Sequence, residues 1–541
     1  MCRPSSTSST SLESRATQSR DDHGQSDQQH ASHQAQPQEA AIQQRDQNEG
    51  HPRHWQQHPV WEETKRMVNI TIPTMLVNFG CTIPPALTAS FVGRKLGSVY
   101  LDGFTLGMLT GNLLTLSIIQ GLFTASDTLS PQAFGARNYR EVGLLAIRGF
   151  VIAMAIMLPI NGLLVAFMKP LLILLGQPEE SAALASQWYQ VYVCGLPFYA
   201  LYWSTWKFLA SQEIMTPIYA VLAVSCGVVL PVALELFIEW FGFIGSAMAL
   251  VAYLFSQSAL LLAVLAIRNA QHYGTWTGLA DMWRDALSWK PMCLYFRLGA
   301  GGILSSSEWW YWEVLCLMIG TLGVFPLDVQ TIPTQVMAVG FMAPAGLGTA
   351  LAVRLGANLG NNVRRARQLG FWGFLSSCGL FAVLSILLYV FRFSLFALFT
   401  EDPAIIEACD EIWWRVVVYF FNLCVFGISV GVSSALGLQW TLGIVTTVVL
   451  WVFGLPALYY LAIVRNGGLV MAWNCIFPPY VVMNGWMVIT FYCADWETIG
   501  ANICVREGLE EPLLSGYDEE RPDNEADEEG SCAVEIAIDS V

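Results

Sequence analysis

Twelve apolar stretches decide what this chain can fold into. They run approximately over residues 67–92, 101–125, 144–168, 187–209, 214–238, 243–267, 293–320, 326–350, 371–395, 412–436, 441–464 and 469–492. About 20 consecutive apolar residues, wound as a helix, cross the hydrocarbon core of a bilayer. The fold class expected is therefore an all-α polytopic membrane protein with twelve transmembrane helices. Composition agrees, since only 13% of the residues are charged, where a soluble chain carries roughly a quarter. Residues 1–60 contain no apolar region of the kind a secretory signal needs.

The net charge of −15 is not spread over the chain. From Asp495 to Val541 there are fifteen acids against two arginines, Arg506 and Arg521, a net of −13. The acidity thus belongs to the end of the chain and not to the apolar body. The organisation expected is a disordered polar tail over 1–61, a first lobe over 62–270, a connection over 271–292, a second lobe over 293–494 and a disordered acidic tail over 495–541. Six of the seven histidines lie in the first tail and the seventh, His272, in a loop. No histidine is left inside the apolar runs to carry a proton, which shifts that role to carboxylates. The thirteen cysteines are scattered, without a CxxC pair or metal-ligand spacing, so neither a disulfide framework nor a metal site is expected. There is no nucleophile motif, glycine-rich phosphate loop or cofactor signature, and an enzyme is not expected.

An even number of spans puts both termini on one side. With the termini cytoplasmic, the inner connections hold Arg137, Arg140, Arg148, Arg268, Arg284, Lys290, Arg297, Arg354, Arg364, Arg365 and Arg367. The outer ones hold only Arg94, Lys95, Lys169, Arg392 and Arg465. The excess of cations marks the terminus side as cytoplasmic.

The two halves repeat. Gly121-Leu-Phe-Thr-Ala is followed fourteen positions on by Gly135, and Gly346-Leu-Gly-Thr-Ala by Gly360 at the same interval. The offset between the pairs is 225 residues. Two six-helix lobes related by pseudo-two-fold symmetry are expected, with a substrate path between them.

Polar residues at membrane depth are costly and mark substrate or ion paths. Glu308 is the one acid near the middle of a segment, with Glu313 five residues on, about 140° around a helix. Trp309, Trp310, Tyr311 and Trp312 surround them, and aromatic faces can hold an organic cation. Asn78, Asn112, Gln330, Gln335 and Asn422 complete the intramembrane polar set. The prolines Pro73, Pro84, Pro85, Pro197, Pro326, Pro333 and Pro344 interrupt several spans.

Thr124-Ala-Ser-Asp-Thr-Leu-Ser-Pro-Gln-Ala-Phe-Gly-Ala-Arg-Asn-Tyr-Arg-Glu-Val-Gly143 closely resembles the signature loop of the multidrug and toxic compound extrusion (MATE) family. Met342-Ala-Pro-Ala-Gly-Leu-Gly-Thr-Ala-Leu-Ala-Val-Arg-Leu-Gly-Ala-Asn-Leu-Gly360 is similar to its second-half counterpart, and Glu308-Trp309-Trp310 with Glu313 to the seventh helix of the eukaryotic branch. The resemblance covers about residues 62–495. It implies a two-lobed antiporter that expels organic cations and other small molecules in exchange for H⁺ or Na⁺. It gives Glu308 and Glu313 the proton-coupling role. It places Asn78, Asn112, Trp309 and Gln330 at the substrate cavity, and Gln335 and Asn422 from the intramembrane polar set are further candidates for substrate binding. The chain departs from the family by Thr88 where bacterial members often carry Asp. It departs again by Gln335, and by the lack of an acid near Asn422–Leu423, where eukaryotic members often carry acids. Export of neutral or anionic compounds, Na⁺ coupling, and a lipid flippase on a related helical plan are the alternatives. The partners expected are the bilayer and a small molecule, not nucleic acid, with the chain a monomer. Glu510-Glu511-Pro512-Leu513-Leu514 resembles an acidic dileucine sorting signal, which leaves plasma and vacuolar or endosomal membranes open.

Overall fold

A computed structural model of the full chain describes residues 60–508 apart from 269, 270 and 273. The chain divides into two units, residues 1–66 and 67–541. Of the first, only the opening turns of one helix, from Val60, are described. The histidine-bearing tail and Glu510–Leu514 lie outside the described residues.

All the regular structure of the described residues is helical, without a strand. In order come α1 (Val60–Lys95), α2 (Ser98–Gly135), α3 (Tyr139–Leu174), α4 in two pieces (Glu179–Tyr192 and Leu196–Ala210), α5 (Thr216–Phe241) and α6 (Phe243–Arg268). The second half follows with α7 in two pieces (Trp289–Ser305 and Ser307–Gly320), α8 in two pieces (Val324–Gly340 and Met342–Leu359), α9 (Val363–Val390), α10 (Pro403–Leu436), α11 (Gln439–Val464) and α12 (Gly468–Cys493). Ten of these are long and apolar enough to cross a membrane, α8 among them despite a single-residue turn at Phe341. The other two, α4 and α7, are broken into pieces that fall short of that length. In α4 a tight turn at Val193–Gly195 precedes Pro197, which lacks an N–H and whose ring crowds the carbonyl four residues back. In α7 the hydroxyls of Ser305 and Ser306 both donate to the Gly302 carbonyl, at 2.8 and 2.9 Å, and so compete with the helix ladder at the break.

Each half has its own apolar core. One gathers side chains from α1 to the first piece of α7, including Val77, Phe123, Trp188 and Leu230, and takes in Ala350 and Val353 of α8. The other gathers Tyr311, Trp413, Tyr419, Trp473 and Tyr480 from α7 to α12. The repeat read from the sequence is physical. A Cβ on Gly121 of α2 would lie 2.6 Å from Ile303 Cα of α7, and one on Gly346 of α8 would lie 2.4 Å from Met75 Cγ of α1. Each half thus sends its second helix against the first helix of the other, at a glycine that lets the two approach.

The connection expected over 271–292 contains a helix, Leu279–Ala286, whose buried Met282 and Ala286 pack on α3. Arg148 Nε holds it by donating to the Ala286 carbonyl at 3.0 Å. One sequence expectation needs correction. The acidic tail expected to be disordered from Asp495 opens with a further helix, α13 (Trp496–Arg506). Trp496, Gly500 and Ile503 recur at helical spacing and are buried against α8 and α9. Asp495 caps the helix, its carboxylate accepting from the Glu497 and Thr498 N–H groups at 3.1 Å each.

At the terminus side the halves meet along a polar seam. Thr128 donates to the Ser434 carbonyl at 2.5 Å and Gln132 Nε2 to the Ala435 carbonyl at 2.7 Å. Gln439 donates to Thr128. A Cβ on Gly135 would sit 2.0 Å from Ala357 O, and one on Gly360 2.4 Å from Gln132 O.

Candidate functional site

The second piece of α7 buries one face. Glu308, Tyr311, Leu315 and Ile319 are spaced three and four apart, which places them on a single stripe. Glu308 is 6% exposed. Its Oε1 accepts the Tyr480 hydroxyl of α12 at 2.5 Å. Tyr480 in turn accepts from the Tyr419 hydroxyl of α10 at 3.4 Å. The Tyr419 ring is clamped, stacked on Trp312 at 5.4 Å and met edge-on by Tyr480 and Trp473 at 4.9 and 5.8 Å. Trp473 Nε1 donates to Gln330 Oε1 at 3.0 Å. One turn beyond Tyr480, Asn484 Nδ2 donates to the Asn422 carbonyl at 2.8 Å. Four helices of the second half, α7, α8, α10 and α12, therefore meet in one polar and aromatic knot around a single carboxyl.

Among the described residues, no ion pair joins Glu308. A buried carboxylate held by a hydroxyl and not by a cation carries its charge at high cost. Taking up a proton, or meeting a cation, removes that cost. This is the chemistry the arrangement can do.

The expected residues do not all come together. Gln330 and Asn422 are buried within the knot or beside it. Trp309 is 51% exposed and turns its edge to Phe341 at 5.7 Å, away from the buried stripe. Glu313, Asn112 and Gln335 are exposed, and Asn78 is half-buried. An apolar cleft of about 490 Å³ lies between α1, α8, α9 and α10, with Met75, Phe79, Ala343, Leu384 and Phe420 among its walls. Glu308 does not line it.

Tyr419, Tyr480, Trp473 and Asn484 were not expected from the sequence. Their signal was position: Tyr419 and Tyr480 lie well inside their spans, far from the interfacial belts where tyrosines anchor helices.

The first half holds a different polar arrangement. Asn161 Oδ1 accepts from Thr115 at 3.0 Å and from Tyr189 at 2.5 Å, at a widened turn of α2 over Asn112–Leu116. Nearer the terminus side, Lys207 Nζ contacts both oxygens of Asp127, at 2.7 and 2.8 Å.

The comparisons with known proteins decide the family. The family model MatE matches residues 73–235 and 303–460, one block in each half. The chain belongs to that family. Its relatives include multidrug and toxin extrusion protein 2 of Oryctolagus cuniculus, 28% identical over 467 residues that cover 83% of this chain and 74% of that one. Multidrug and toxin extrusion protein 1 of Homo sapiens is 29% identical, covering 77% and 72%. Protein DETOXIFICATION 36 of Arabidopsis thaliana is 28% identical, covering 80% and 86%. Among solved structures, the eukaryotic MATE transporter AtDTX14 superimposes with a TM-score of 0.74 at 20% identity, covering 83% of this chain and 99% of that one. The Vibrio cholerae MATE transporter VcmN in the bent form gives 0.68 at 18% identity, covering 82% and 98%. The MATE fold, with twelve helices in two lobes, is the fold of this chain. It is a multi-pass membrane transporter of the multidrug and toxin extrusion family, and MATE proteins are transporters and not enzymes.

Proposed function

We propose that the chain exports small organic cations in exchange for protons, with Glu308 as the shared site. The carrying observation is the Tyr480–Glu308 hydrogen bond in a buried setting without a cation partner among the described residues. An ionised Glu308 attracts a cationic substrate. A proton arriving from the side away from the termini neutralises the carboxyl and frees the substrate there. The relatives' names, multidrug and toxin extrusion proteins, favour export of foreign compounds. The apolar cleft supports substrates with an apolar body, since Trp309 meets Phe341 beside its wall. The excess of arginine in the inner connections supports cytoplasmic termini.

The test is uptake of a labelled organic cation into proteoliposomes under a pH gradient. Glu308→Gln abolishes pH-driven flux while the protein remains inserted. Wild-type flux in that variant would overturn the reading. Replacing Na⁺ by choline at a fixed pH gradient leaves flux unchanged, and its collapse would assign the coupling to Na⁺ instead.

A further inference from the structure

We propose that Arg506 and Glu507, at the end of α13, form a gating clasp across the seam between the halves. They must let go before the terminus side can open. The helix itself belongs to the second half. Trp496 packs at Gly370 of α9, a Cβ on Gly500 would lie 2.3 Å from Val363 Cγ2, and Ile503 joins the cluster of Leu355, Leu359 and Ala366. Its last residues reach the first half. Arg506 Nη2 donates to Gln132 Oε1 at 2.9 Å, and Glu507 Oε2 accepts from Asn138 Nδ2 at 2.9 Å. Arg506 Nε and Glu507 Oε1 are themselves paired at 2.9 Å, so arginine and glutamate form one bridge between two amides. The Glu507 side chain is 3% exposed, which is uncommon for a charged residue at a helix end.

The two amides are already committed to the seam. Gln132 uses its other end to donate to the Ala435 carbonyl, and Asn138 Oδ1 accepts the Glu141 N–H at the start of α3. The clasp therefore grips the two residues that fix the end of α2 and the start of α3. It works on one half only. The residue 225 positions after Gln132 is Ala357, which has no amide side chain to grip. Alternating access requires the halves to part at this end, and a closed state is held by what bridges it.

Hydrogen exchange of the full-length protein in lipid nanodiscs tests this. Arg506→Ala and Glu507→Ala accelerate exchange of the 132–138 amides by at least about fivefold while 496–503 stays as protected as in the wild type. Glu507→Gln, whose amide oxygen still accepts from Asn138, stays within about twofold of the wild type. Unchanged exchange at 132–138 in both alanine variants overturns the clasp. So does equal acceleration over 496–503, which would make the pair a prop of α13 alone. So does Glu507→Gln behaving as Glu507→Ala. No coupling ion enters this readout, so its failure leaves the proton reading standing, and failure of the Glu308→Gln test leaves the clasp standing.

Discussion

The Tyr480 hydroxyl reaches Glu308 Oε1 at 2.5 Å and so ties α12 to the second piece of α7. A hydrogen bond to a charged group contributes about 1.5–3 kcal/mol. Tyr480→Phe keeps the ring between Tyr419 and Phe426 and removes only the donor. The expected result is a loss of pH-driven uptake of roughly ten- to hundredfold, with the protein still folded. Initial rates in proteoliposomes, beside a melting curve, check it.

Lys207 and Asp127 form a largely buried pair, 8% and 16% exposed. The ammonium also lies over the rings of Trp203 and Trp206, at 5.4 and 5.2 Å. Breaking such a pair from one side strands a charge and costs about 3–5 kcal/mol. Lys207→Met lowers the melting temperature of the purified protein. Adding Asp127→Asn restores much of the loss, because no charge is then left alone.

Gly135 has no room for a methyl group beside Ala357 O. Gly135→Ala forces the seam apart at the end of α2. Transport falls at least about tenfold while membrane levels hold, since the clash acts on a conformational equilibrium in which about 1.4 kcal/mol changes the populations tenfold. Surface quantification with flux measurement decides this.

Asp495, at the start of α13, is held below the usual carboxylate range by the Thr498 hydroxyl and the N–H groups it accepts from. A group depressed on folding stabilises the helix above its unfolded value, near 3.9, and the contribution is lost as pH falls through the lower folded value. Asp495→Ala removes a cap that contributes about 0.5–2 kcal/mol. Exchange at Glu497 and Thr498 rises at neutral pH, and the difference from the wild type closes under strong acid.

Spans, halves and repeat were all legible because each rests on a regular pattern: apolar length for the spans, and a 225-residue interval for the glycines. Glu308 was legible because a carboxyl in an apolar run is costly. Its surroundings were not. Tyr480 and Tyr419 lie 172 and 111 positions along the chain from it, and only packing brings them near. Glu313, read as about 140° around the helix from Glu308, is turned off the buried stripe by that five-residue step. Helix α13 was missed because overall acidity from Asp495 onward outweighed the short stripe of Trp496, Gly500 and Ile503. In the signature loop, Gln132, Gly135 and Asn138 hold the seam and cap α3.

Between α12 and α13 there are only two residues, Ala494 and Asp495. The rod that cradles the acid and the rod that grips the opposite half are thus consecutive, with a joint too short to absorb much slack. Just ahead of Tyr480, Pro478 and Pro479 deprive α12 of two ladder donors and leave it pliable at the height of the acid. On the proposed function, a tilt begun where Glu308 takes up a proton would be passed along the lower part of α12 to the seam at the terminus side. Chemistry confined to one half would thereby gain mechanical leverage over the other.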